Sequence, residues 1–168
     1  MNKELQDKLY KDFPKIFRQK DLSKMESCMY WGCDHGEGWH EILRNLCDCM
    51  QSRIDANPHL MEPTKVSLWN RIKDSWKLLI GKPFNLYRYK PPLKQIEFSQ
   101  VKEKLGALRI YTHNSNDEFE GMIDFAEWLS RTVCEDCGKP GKLRSKGGWL
   151  RTTCDKCAKI QGFKEHDN

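Results

Sequence analysis

The sequence predicts an α+β fold: a mainly helical N-terminal domain with a small β element, followed by a compact C-terminal ribbon. Three observations predict it. Apolar residues recur at helical spacing in four separate stretches. The run Leu108-Arg109-Ile110-Tyr111 alternates sides as a strand does. Near the end, Cys134, Cys137, Cys154 and Cys157 form two C-x2-C knuckles with sixteen residues between them.

In chain order, Leu5, Leu9 and Phe13 at four-residue steps mark a short amphipathic helix stopped by Pro14. After a polar connection, Gly36-Glu37-Gly38 precedes a stripe of Trp39, Ile42, Leu43, Leu46, Met50 and Ile54, a core helix that should end near Asn57-Pro58. A third helix is expected to begin around Pro63, tolerated in a first turn, and to run through Val66, Trp69, Ile72, Trp76 and Leu79 to Gly81. From Lys82 to Pro92 the chain is rich in aromatics and bases, and Pro83, Pro91 and Pro92 bar a helix, so it reads as extended or loop. Phe98 to Leu105 reads as a short helix or strand ended by Gly106. Ser115 or Asn116 caps a last long helix, with Asp117, Glu118 and Glu120 in its first turn favourably set against the helix dipole. Its inward stripe is Phe119, Met122, Ile123, Ala126 and Leu129, and Trp128 is placed to face the ribbon.

The ribbon follows directly. A C-x2-C pair points both sulfurs into one turn, and Gly138 lets the backbone curl around an ion. Between the pairs, Lys142-Leu143-Arg144 and Trp149-Leu150-Arg151 flank Ser145-Lys146-Gly147-Gly148, a hairpin with a Gly-rich tip. Four thiolates around one Zn2+ give a closed coordination sphere, hence a structural metal. Such a site supplies on the order of 10 kcal/mol or more, enough to fold a piece with no core of its own. The competing interpretation is two disulfides, which would suit a secreted protein; the N-terminus Met1-Asn2-Lys3-Glu4-Leu5 shows no apolar signal region. The expected organisation is a helical core domain over 1–132, the zinc ribbon over 133–161 and a polar tail over 162–168, with core and ribbon folding as one unit.

The chain has 168 residues, 38% hydrophobic and 32% charged, with a formal net charge of +5. That charge is unevenly spread: −2 over residues 1–62, +8 over 63–112, −4 over 113–133 and +3 over 134–168. No run approaches the roughly 18 apolar residues of a membrane span, which points to a soluble protein of the cytoplasm.

Several strings in order are similar to a group of uncharacterised proteins of tailed bacteriophages and prophages. They are Phe13-Pro14-Lys15-Ile16-Phe17, Gly36-Glu37-Gly38-Trp39, the run from Gln100 to Tyr111, Ala126-Glu127, the run from Cys134 to Gly141, and Gly148-Trp149. The chain departs from that group at Leu105 and Ala107, where such proteins tend to have Phe and Gly. The resemblance implies a phage accessory protein acting in the host cytoplasm. It implies no activity.

Two surfaces suggest nucleic acid. Between Lys82 and Lys94, bases alternate with Phe84, Tyr87 and Tyr89, offering phosphate contacts beside rings on which nucleobases stack. The ribbon repeats the theme with Lys139, Lys142, Arg144, Lys146, Arg151 and Trp149. The blander interpretation is a proline-rich connection whose aromatics cover the core edge. Cys28, Cys33, His35, His40, Cys47 and Cys49 fall within twenty-two residues, ligand types for a second metal or a Cys–His pair. Their spacing is poor, because Cys47 and Cys49 on a helix diverge by roughly 200°. Neither a P-loop nor a G-x-S-x-G elbow occurs.

The expected function is a non-enzymatic, zinc-stabilised binding protein that engages nucleic acid through Lys82, Tyr87, Arg88, Tyr89, Lys90, Arg144 and Arg151. The alternative is a modulator that binds a host bacterial protein during infection, and a third possibility, a metal-dependent hydrolase around His35 and His40, has no recognised catalytic spacing behind it.

Overall fold

The computed structural model describes residues 1–56, 63–65, 87–89 and 93–165. In chain order its main elements are α1 (Lys3–Asp12), β1 (Cys33–Asp34), α2 (His40–Ala56), β2 (Pro63–Lys65), β3 (Tyr87–Tyr89), β4 (Glu97–Lys104), β5 (Ala107–His113), α3 (Asp117–Ser130), β6 (Lys142–Lys146), β7 (Trp149–Thr153), α4 (Asp155–Gln161) and β8 (Lys164–Glu165). The fold is α+β, and Met1–Ser52 with Lys94–Asn168 forms one compact unit while Arg53–Leu93 forms another. Ribbon and helical core thus share a unit, and the division falls around the middle segment rather than at residue 132.

In the second unit, β2 pairs antiparallel with β3, Thr64 opposite Arg88. The helix expected from Pro63 does not start there: Pro63–Lys65 is extended, as a proline at a strand start followed by β-branched Thr64 favours. The remainder of that expected helix lies outside the described residues.

The first unit is built around a three-stranded sheet in the order β1-β4-β5, with β1 parallel to β4 and β4 antiparallel to β5. Phe98 to Leu105, open between helix and strand in the sequence, is strand up to Lys104, and Leu105-Gly106 makes a two-residue hairpin turn. Both turn residues have positive φ, 54° and 76°, the backbone that matches the twist of the flanking strands.

The starts of α1, α2 and α3 have visible causes. Asn2 caps α1 by accepting from the Leu5 N–H, and Asn116 caps α3 by accepting from the Phe119 N–H at 2.9 Å. A 3-10 turn, Glu37–Trp39, leads into α2. The core collects Leu9, Ile16, Phe17, Met29, Trp39, Leu43, Met50, Phe98, Val101, Leu108, Phe119 and Ile123, all at most 3% exposed. Phe17 meets Phe98 edge to face at 5.4 Å.

α3 lies along β5. Ser130 Oγ accepts the Leu108 N–H at 2.9 Å, and Glu127 accepts both the Ile110 N–H at 2.9 Å and the Arg109 guanidinium at 2.6 Å. Among the described residues, no helix is long and apolar enough to cross a membrane.

Candidate metal centre

Two knuckles bring the four sulfurs together. The first is closed by the Gly138 N–H donating to the Cys134 carbonyl at 2.9 Å, with Gly138 at φ 72°, a conformation that favours glycine. The second is the start of α4, where the Ala158 N–H donates to the Cys154 carbonyl at 2.9 Å. The sequence reading did not foresee this short helix. Between the knuckles, β6 and β7 form the hairpin with Gly147 and Gly148 at its tip, and β8 adds to the outer side of β6.

Cys134, Cys137, Cys154 and Cys157 place their sulfurs within 4.8 Å of one another, and none is in a disulfide. The sulfurs of Cys137 and Cys154 stand 3.7 Å apart. A tetrahedral ion with metal–sulfur bonds of about 2.3 Å spaces its ligands by about 3.8 Å, whereas a disulfide needs about 2.0 Å. The donor set fits one tetrahedral metal ion. Burial alone would raise the Cys134 thiol, but backbone groups of Cys154, Cys137 and Asp136 and the Thr153 hydroxyl lower it to about 7.

The segment before α2 is docked on the first knuckle. The Gly38 N–H donates to the Glu135 carbonyl at 2.7 Å, and the Trp39 indole N–H donates to the Val133 carbonyl at 2.8 Å. A Cβ on Gly38 would lie 2.1 Å from the Cys134 carbonyl oxygen, and one on Gly36 would lie 2.3 Å from that of Glu135. Both glycines are thus required by close backbone approach. The Glu135 carboxylate is buried; it accepts the Gly36 N–H at 2.9 Å and the Arg151 Nε at 2.9 Å. Burial nevertheless leaves its pKa above the ordinary carboxylate value.

The residues expected to contact nucleic acid have separate fates. Lys82 and Lys90 lie outside the described residues. Tyr87, Arg88 and Tyr89 form β3, and only their backbone is described. Arg144 is 7% exposed, pairs with Asp155 and donates to the Thr153 carbonyl. Arg151 pairs with Glu135 and, at 3.0 Å, with Asp136. Both arginines have their charge met inside the ribbon, a bonding role the sequence reading did not assign. Trp149, by contrast, is 67% exposed.

The six residues between Cys28 and Cys49 do not assemble. Among the described residues, the ribbon cysteines are the one metal-competent group. Cys33 and Cys47 are buried, and loss of solvation holds both thiols well above the ordinary value, Cys33 at about 12. They are protonated core side chains.

A feature missed in the sequence lies beside the knuckle. An apolar groove of about 650 Å³ runs between α2 and α3, lined by Ile42, Leu46, Met122, Phe125 and Leu129, with Cys137 and Gly138 of the first knuckle also in its lining. Its signal was present. Phe119, Ile123, Ala126 and Ser130 are the buried face of α3, so Met122, Phe125 and Leu129 form a second stripe that one core does not need. Trp128, expected against the ribbon, is 57% exposed.

No family profile, curated protein or solved structure matches this chain.

Proposed function

We propose that this chain is a zinc-stabilised binding protein with no catalytic step of its own, and that its partner is a protein. The observation that carries the reading is the groove between α2 and α3, an exposed apolar channel held open beside a metal knuckle. Exposed apolar channels of this kind mark partner sites rather than solubility. Zinc is the ion that the closed four-thiolate set favours for a structural role, since it has no redox chemistry and accepts tetrahedral geometry. The likeness to phage proteins supplies the setting, a host bacterial cytoplasm in which a small protein modulates a host complex.

The test is a pull-down of tagged full-length protein from bacterial lysate, split into nuclease-treated and untreated halves, with metal content read by elemental analysis. One zinc per chain and a stoichiometric protein retained after nuclease are the expected results. Nucleic acid that vanishes with nuclease, with no retained protein, would overturn the choice of partner.

Nucleic acid is the second reading, and the exposed Trp149 at the ribbon hairpin supports it. A base stacks on such a ring while lysines elsewhere on the ribbon, Lys139 and Lys156 among them, neutralise phosphates. With Arg144 and Arg151 engaged by carboxylates, the lysines and the middle segment with Lys82, Tyr87, Arg88, Tyr89 and Lys90 would carry the affinity. That affinity would fall steeply with salt; salt-independent binding would count against it.

A further inference from the structure

We infer that a small polar pocket, separate from the groove, takes a guanidinium group; where the protein-partner reading above holds, an arginine of that partner supplies it. The pocket has a volume of about 310 Å³, and Asp34, His35, Glu103, Glu135, Trp149 and Arg151 line it. That is the size of a side-chain head rather than of a larger cofactor. The one cation of the lining, Arg151, is already committed, to Glu135 at 2.9 Å and to Asp136 at 3.0 Å. Asp34 is exposed, and among the described residues its carboxylate makes no hydrogen bond or ion pair. Glu103 accepts the Gly106 N–H at 2.6 Å and bonds no cation among the described residues. Two cations stand near without bonding either carboxylate. Lys102, opposite Asp34 in the strand register, holds its ammonium 5.5 Å from the centre of the Tyr111 ring, and the Met1 ammonium donates to the Cys33 and His35 carbonyls.

His35 supplies an observation independent of charge. It is 5% exposed, and its Nε2 has no hydrogen-bond partner among the described residues. Its Nδ1 lies 2.7 Å from the Gly36 carbonyl oxygen, so Nδ1 carries the ring hydrogen and Nε2 is a bare acceptor. A buried acceptor left without a donor calls for one from outside the chain. Burial also lowers the His35 pKa to about 4, so near neutral pH the ring does not repel a cation. Trp149, 67% exposed, adds an indole to the same pocket, and a guanidinium stacks on such a ring better than an ammonium does. A bare metal ion fits poorly. Among the described residues, no three of these carboxylate and imidazole ligand atoms converge closely enough to share one. A planar cation with five N–H donors reaches acceptors that stand further apart.

The probe is a blocked Gly-Arg-Gly peptide, titrated into the full-length chain while the indole N–H resonance of Trp149 is followed by NMR. The resonance is identified by its absence from Trp149→Phe. Two controls accompany it: the same peptide with citrulline, which keeps the shape and loses the charge, and the same peptide with lysine. The arginine peptide should shift the Trp149 signal saturably and bind at least about tenfold more tightly than the citrulline peptide. It should bind more tightly than the lysine peptide as well. Asp34→Asn removes an exposed charge with no bonded partner and should weaken binding about tenfold, with melting temperature and metal content unchanged. Glu103→Gln keeps an acceptor for the Gly106 N–H and should weaken it similarly. Agmatine, a free guanidine, is the fourth titrant: tighter binding of the peptide assigns the group to a protein, and tighter binding of agmatine assigns it to a free small molecule.

Equal binding of the citrulline peptide would overturn the inference, as would titrations left unchanged by both Asp34→Asn and Glu103→Gln. So would displacement of the peptide by magnesium at equal concentration, which would give the pocket to a metal ion. The inference and the partner reading fail separately. A failed titration removes this site and leaves the groove and its protein partner standing, whereas capture of nucleic acid alone from lysate removes the protein partner and leaves the guanidinium site to agmatine-like molecules.

Discussion

The backbone of Gly38 lies against that of Cys134 so closely that a Cβ at position 38 would sit 2.1 Å from the Cys134 carbonyl oxygen. The entrance to α2 and the first metal knuckle are therefore one packed object. The Gly38→Ala variant must push the two apart. It is expected to lose at least about 2 kcal/mol of stability and to bind metal more weakly. Thermal melting, together with the visible absorption of the cobalt-substituted protein, would report both effects, and an unchanged melting temperature would contradict the close approach.

Removal of one ligand tests the centre itself. Cys137→Ser leaves three thiolates, and the protein should be purified without stoichiometric metal and with its ribbon unfolded. Because the ribbon shares a compact unit with the core, near-ultraviolet signals from Trp39 should change as well, since its indole N–H donates to the Val133 carbonyl. Much of the far-ultraviolet helical signal should persist. Retention of one metal per chain by elemental analysis would refute the ligand assignment.

Arg151 separates a structural from a binding role. Its guanidinium is the partner of Glu135, whose side chain is only 5% exposed. Arg151→Ala should cost about 3 kcal/mol, because it strands a buried carboxylate, and denaturant unfolding would measure that. A variant of native stability that had lost only nucleic-acid affinity would instead return Arg151 to the surface role expected from its sequence.

Leu105 occupies a turn position that suits another residue. It has φ 54° and is 68% exposed, so its side chain gains little from burial while its backbone sits in the left-handed region. Leu105→Asn should stabilise the protein by about 1 kcal/mol. Equilibrium unfolding should show a higher midpoint with an unchanged slope.

Acid should weaken the fold partly through His35. Desolvation lowers its pKa from 6.5 to about 4, with the Gly36 carbonyl acting in the opposite sense. The folded value is depressed, so this contribution is complete above about pH 6.5 and is lost as the pH falls through about 4. The metal thiolates protonate in acid too, so the informative comparison is with His35→Gln. Denaturation of the two proteins from pH 7 to pH 4.5 should show the steeper decline in the wild type; parallel curves would mean His35 titrates normally.

Much of this was legible in the sequence. Helix starts were written in the Ser115-Asn116 pair and in the Gly36-Glu37-Gly38-Trp39 string, and the cysteine spacing picked out the four thiols that the fold brings together, because local backbone geometry fixes those features. The role of Arg144 and Arg151 was not legible. Each meets a carboxylate brought close only by the folded ribbon, and an arginine among lysines looks the same whether paired or free. The groove was hidden for a related reason. Met122 and Leu129 have core periodicity, yet no sequence pattern states that the fold leaves a groove beside them. Likewise the strand at Pro63 depends on pairing with Tyr89, a partner twenty-six residues away.

The contacts that α3 makes with β5 also govern how this protein behaves in crowded company. A sheet margin with open N–H groups is a template onto which another chain can add, the first step toward fibrous aggregates. Here Ser130 and Glu127 already accept the outward N–H groups of Leu108 and Ile110. At the other margin β1 is only two residues long. Two helix side chains thus do the work of a neighbouring strand, and they leave an incoming chain little to grow from.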